Sequence, residues 1–156
     1  MPATNWSKLS RQQLGAYAEY YAKMEFVFYG FHVYTSEIDD HGIDFIAEAP
    51  NGQLYNVQVK SVRGNTYTFI LQDKIALDNN HLVCYLRLRD GELPEAYVIP
   101  ATVWKNPNAL FVRRDYDAPE LKSKPEYGIQ HSAKNRYLLE GYEAQSFLPA
   151  LAENRE

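Results

Sequence analysis

The chain holds one cysteine among its 156 residues. An internal disulfide is therefore excluded, and Cys84, set in the apolar run Leu82-Val83-Cys84-Tyr85-Leu86, reads as a buried, inert thiol. No apolar run approaches the ~20 residues that a membrane span needs, so no membrane partner is expected. Met1-Pro2-Ala3-Thr4-Asn5-Trp6 lacks the charged-then-apolar pattern of a secretory signal, and a cytoplasmic location is expected. Positive charge is also short. The net charge is −4, which argues against a protein that coats a polyanion. Its distribution is uneven: residues 105–136 carry seven basic side chains (Lys105, Arg113, Arg114, Lys122, Lys124, Lys134, Arg136) against four acidic ones. That segment is either a local phosphate-contacting surface or a solvated loop of mixed charge.

What is present fits one domain over residues 1–156. Apolar residues make up 46% and charged residues 23%, as in ordinary globular chains. Ser10-Arg11-Gln12-Gln13 forms a capping box, which predicts a helix from there to about Tyr29 with Gly30 as its stop. At ~100° per residue, Gly15, Ala18, Glu19, Ala22, Phe26 and Tyr29 share one face. The small residues let that face approach a sheet, and Glu19 lies in its middle, where a carboxylate is costly unless paired or metal-bound. Tyr17, Tyr21, Met24 and Phe28 form an adjoining stripe, read first as core and second as a dimer contact.

Strands are predicted at Phe31 to Thr35, Ile43 to Ala49 and Gln53 to Val62, with a turn at Pro50-Asn51-Gly52. Alternation of faces pairs Ile43 with Val59, Phe45 with Val57 and Ala47 with Tyr55. The same register sets Asp44 opposite Gln58, with Lys60 two residues further along that face. A one-residue slip would mix the faces. Further strands are expected at Thr66 to Leu71, His81 to Leu88 and Ala96 to Ile99. Short helical turns are expected within Asp73 to Asn79 and from Pro100 to Trp104, and a helix within Arg136 to Leu151. Residues 105–135 show no clear periodicity.

Mg²⁺ takes oxygen ligands and keeps several waters. Asp44 offers an anionic oxygen, Gln58 an amide oxygen and Val59 a backbone carbonyl, while Glu19 could reach the same ion directly or through water. Lys60 could position or deprotonate a water, or meet charge developing on a phosphate. Asp39, Asp40 and His41 read as turn residues, with His41 able to sit at the rim. His32, His81 and His131 lack ligand spacing.

Leu14-Gly15-Ala16-Tyr17-Ala18-Glu19, Gly42-Ile43-Asp44-Phe45 and Val57-Gln58-Val59-Lys60-Ser61 together resemble the PD-(D/E)XK nuclease superfamily. This is the restriction-endonuclease-like fold that includes Holliday-junction resolvases, and here the motif carries glutamine in place of its commoner acidic residue. The resemblance covers residues 10–62, and Glu95 to Pro100 looks like a following strand. Residues 105–156 lie outside the resemblance. The resemblance implies an α/β fold with a central mixed sheet flanked by helices. It implies a metal-dependent endonuclease that hydrolyses DNA phosphodiester bonds and uses Mg²⁺, with Mn²⁺ as a substitute. Lys60, Asp44, Gln58 and Glu19 would be catalytic, with Asp44, Gln58, Val59 and Glu19 around the metal. Small nucleases of this kind often act as homodimers. The alternative is a catalytically inactive nuclease fold serving as a nucleic-acid- or protein-binding module.

Overall fold

Ser10 opens the first helix as expected: its hydroxyl accepts from the Gln13 N–H at 3.1 Å and the Gln13 side chain accepts from the Ser10 N–H at 2.9 Å. Helix α1 runs Arg11–Phe28 and ends where Gly30 takes φ +92°, a conformation only glycine adopts freely. The computed structural model describes residues 2–35 and 42–153. Asp39, Asp40 and His41, with their expected turn and rim roles, lie outside the described residues.

Five strands build the main sheet: β1 (His32–Thr35), β2 (Phe45–Glu48), β3 (Leu54–Arg63), β5 (His81–Leu88) and β6 (Glu95–Pro100). They lie in the order β1-β2-β3-β5-β6. β3 and β5 are parallel and the other pairs antiparallel, so the sheet is mixed and the fold is α/β. Of the predicted pairs, Phe45–Val57 and Ala47–Tyr55 are present, whereas Ile43–Val59 and Asp44–Gln58 do not form, because the ladder ends at Phe45.

One face of the sheet meets helices. Ala18, Ala22 and Phe26 of α1, with Ala144 and Leu148 of α2 (Ala144–Ala152), bury Phe45, Ala47, Tyr55, Val57 and Cys84. Phe26 packs edge-on against both Phe31 and Phe45, with ring centroids 5.3 and 5.4 Å apart. Each such phenylalanine contributes about 1.5–3 kcal/mol on burial. The thiol of Cys84 is buried as expected, and burial pushes its pKa up. No helix among the described residues is long and apolar enough to cross a membrane.

The helix face is rotated from its predicted position. Leu14, Ala18, Ala22 and Phe26 are the buried set, because Leu14 is drawn into a small cluster with Trp6 and Leu88. Gly15 is exposed, and Glu19 lies at the flank of the face. Tyr17 and Tyr21 pack at the edge of the core, but Met24 and Phe28 do not. Phe28 is 81% exposed, so the core reading of that stripe fails for both.

The other face is covered by a second sheet that the sequence pattern did not show. β4 (Thr68–Leu71), β7 (Phe111–Arg114) and β8 (Glu126–Ile129) form it in the order β4-β8-β7. Its inner face joins Ile70, Phe111, Tyr127 and Ile129 to Val83, Tyr85 and Ile99 of the main sheet, with Trp104 buried between. The segment 105–135, expected to be irregular, thus supplies two core strands. The expected helical turns are 3₁₀ segments at Gln72–Lys74 and Ala101–Lys105, and the tail is split into a 3₁₀ segment at Arg136–Leu139 and α2, with Gly141 at φ +91° between them.

Candidate active site

β2 and β3 part company at Asp44. Phe45–Val57 is the last regular pair. One residue earlier, the Asp44 N–H donates to the Val57 carbonyl at 2.9 Å, and the Asp44 carboxylate accepts from the Val59 N–H at 2.7 Å. A side-chain oxygen here does what a strand carbonyl would do further along the ladder. The N–H and C=O of one strand residue address the same neighbour, so the Val59 carbonyl faces the same edge of β3 as Asp44.

Gln58 projects from the face that meets the second sheet and is 5% exposed. Its amide nitrogen donates to the Lys74 carbonyl at 2.7 Å. A carbonyl can only accept, so this bond fixes the amide and turns its oxygen away from Lys74. Gly42 makes room for the arrangement. It sits at φ +75°, and an added Cβ would lie 3.2 Å from the Lys74 Cβ and 3.3 Å from the Gln58 amide nitrogen.

Lys60 is half-buried on the same face. Burial lowers its ammonium pKa, and the nearby charge of Asp44 raises it, the burial contribution being the larger. Asp44, Gln58, Val59 and Lys60 share a depression of about 380 Å³ with Phe69 and Lys74. The structure thus brings together four of the five sequence-predicted groups. Glu19 does not line the depression. Its carboxylate pairs with Lys23 at 3.3 Å, and Lys23 donates to Thr35 at 3.2 Å. Thr35 is the ladder partner of Phe45, so Glu19 stands at the Asp44 end of the sheet, on its helical side.

Gly42 and Lys74 are the contributors that sequence reasoning did not assign. Gly42 was visible as part of the string before Asp44. Lys74 acts through its backbone, for which no sequence signal exists. Among the described residues no three His, Cys, Asp or Glu side chains cluster as a metal site. A larger depression of about 710 Å³, lined by Glu25, Glu95, Tyr97, Arg136 and Glu143, lies elsewhere. Its Glu95 is engaged by Arg87 at 2.7 Å and Arg136 at 2.8 Å, and no lysine among the described residues lines it.

No protein-family model and no curated protein sequence matches the chain. Among solved structures, it is similar to Hjc of Archaeoglobus fulgidus, a Holliday junction resolvase from an archaeal hyperthermophile. The two share 10% identity over 75% of this chain and 84% of that one, at a TM-score of 0.46. A likeness of that degree carries no argument, and the α/β class rests on the strand order and pairing of the chain itself.

Proposed function

We propose that the chain is a metal-dependent endonuclease of the restriction-endonuclease-like type, hydrolysing DNA phosphodiester bonds in the cytoplasm. One observation carries this: a carboxylate, an oriented amide and a desolvated lysine meet at the point where β2 leaves β3. The donor set suits Mg²⁺, with Mn²⁺ as a substitute, because every available ligand is a hard oxygen and one carboxylate with waters suffices. When bound, the ion polarises the scissile phosphate and acidifies a water. Asp44, the Gln58 amide oxygen and the Val59 carbonyl would hold it, while Glu19, paired with Lys23 on the helical side of the sheet, stands outside this set. The hydrogen bond to the Lys74 carbonyl fixes the amide, which would leave its oxygen available to the ion. Lys60, its ammonium partly desolvated, gives up a proton more readily than a solvated lysine. It therefore serves at the nucleophile, or donates to the charge developing on the phosphate. The exposed row Tyr20, Met24, Val27 and Phe28 on α1 offers the surface for a homodimer.

The inactive-fold alternative is favoured by the neutrality of Gln58 and by the ion pair that already engages Glu19. Cleavage of labelled linear, branched and single-stranded DNA with Mg²⁺ and Mn²⁺ decides between them. Lys60→Ala and Asp44→Ala should each lower the rate at least ~100-fold with the fold intact. Undiminished metal-dependent cleavage in both variants would sink the assignment, and calorimetry showing no metal binding would favour the inactive module.

A further inference from the structure

The outer face of the second sheet is built in an unusual way. Residues 67, 69 and 71 alternate outward with 126, 128, 112 and 114 across the register of β4, β8 and β7. The Tyr67 ring lies flat across Gly128, where any Cβ would collide with it. Its hydroxyl donates to the buried carboxylate of Glu126, which fixes the ring. The Arg114 guanidinium sits 4.4 Å above that ring, and the Phe69 ring lies nearly parallel to it, 6.1 Å away at 23°. Phe69 is 44% exposed, so the stack is open on one side.

This surface is continuous with the site. Phe69 lines the depression that holds Asp44 and Lys60. Tyr67 lines a second depression of about 410 Å³ with Arg11, Ser61 and Arg63. The two follow one another along β3, residues 58–60 and then 61–63, with β4 as their common wall. Charge follows the same course. Arg113 and Arg114 are both exposed; Arg113 pairs with Asp115 at 2.9 Å, and Arg114 donates to the side chain of Gln130 at 3.2 Å. Lys122 and Lys124 precede Pro125, whose carbonyl accepts from the Gln72 N–H at 3.0 Å, beside the end of β4 nearest the site.

We infer that Tyr67, Phe69 and Arg114 form a stacking platform for the unpaired bases of a single nucleic-acid strand, which they lead to the Asp44 depression. The inference rests on the nuclease reading for what happens in that depression but not for the binding itself. An open aromatic face recognises bases only where they are unstacked, and duplex bases bury those faces on one another. A guanidinium beside the rings supplies cation–π attraction and a phosphate contact.

The test is fluorescence anisotropy in EDTA, so that no cleavage intervenes, with a labelled oligonucleotide presented as single-stranded DNA, as single-stranded RNA and as a DNA duplex. Wild type should bind the single strands more tightly than the duplex, and the two single-stranded arms identify the sugar. Phe69→Ala should weaken single-strand binding about 5- to 150-fold, the range for loss of one base stack, and leave the duplex unaffected. Arg114→Gln, at an exposed position, should lower the slope of log K against log salt by about 0.7. Equal single-strand affinity of wild type and both variants, each verified as folded by circular dichroism, overturns the platform, as does a preference for duplex. Phe69-dependent binding without metal-dependent cleavage retires the endonuclease and keeps the platform. Cleavage with no dependence of binding on Phe69 does the opposite.

Discussion

Lys60 lies where function and stability pull apart. Its ammonium is partly desolvated, and burial outweighs the attraction of Asp44 in setting its pKa below the ordinary lysine value. The unfolded chain therefore holds the Lys60 proton more firmly than the folded one, and stability rises with pH between the lowered pKa and the ordinary lysine value. At neutral pH the folded state carries a strained charge. Lys60→Met, of similar length and no charge, should raise the melting temperature by roughly 2–4 °C for each kcal/mol recovered and abolish cleavage. A lower melting temperature, measured by calorimetry at pH 7, would show that Asp44 needs the ammonium more than the fold resents it. Such opposition is common where a site is held in readiness for chemistry.

At the scale of elements, the region from α1 to β3 was legible because its signals are local. A capping box marks one helix end, and alternating Phe45, Ala47, Tyr55 and Val57 allow one register only. Asp44, Gln58 and Lys60 came together from that register, without reference to chemistry. In the second sheet β4 was legible, as the strand expected within Thr66 to Leu71, but β7 and β8 were not, for a physical reason. Both are four residues long and, unlike the equally short β2, have no partner strand across a short turn to mark them, and Glu126 and Gly128 dilute the apolar pattern of β8. Those two residues exist for Tyr67, a contact visible only in three dimensions. The outward turn of Met24 and Phe28 was hidden similarly, since an apolar stripe looks the same whether covered or bare. β5 and β6 depend on a buried charge that the sequence also concealed. Arg87, 1% exposed, donates to Glu95 at 2.7 Å, to Asn65 at 2.6 Å and to the Gly64 carbonyl at 3.2 Å, tying both strands to the turn after β3. Glu95→Ala should cost about 3–5 kcal/mol, because a buried guanidinium loses its counter-charge. Urea unfolding measures it, and a loss below 1 kcal/mol would mean that the Arg87 charge is neutralised by other groups.

For the whole molecule, acid is the sensitive direction. His131, unremarked in the sequence beyond its lack of ligand spacing, is buried near the Tyr85 hydroxyl, at 3.4 Å. Burial first, then the charges of Arg87 and Arg136, lowers its pKa from 6.5 to about 4, against an opposing pull from Glu95. The folded chain keeps His131 neutral while the unfolded chain protonates it below pH 6.5. Its stabilising contribution is therefore complete above that pH and is lost progressively as pH falls toward 4. Between pH 7 and pH 5 the loss amounts to about 2 kcal/mol, a fall of roughly 4–8 °C in melting temperature. His131→Gln should flatten that dependence. An equal fall in the variant would move the cause elsewhere.

The parting of β2 from β3 at Asp44 has a consequence for how the chain can vary in length. The turn at residues 49–53 acts as a ruler. One residue added there advances β2 by half a pleat against β3, and the Asp44 carboxylate can no longer meet the Val59 N–H. Two residues restore the faces but carry Asp44 past the oxygen of Gln58. The stretch from Asp115 to Lys124, between β7 and β8, measures nothing comparable. Insertions there should be absorbed, whereas at 49–53 even a single extra residue would uncouple the halves of the site and turn Phe45 and Ala47 out of the core.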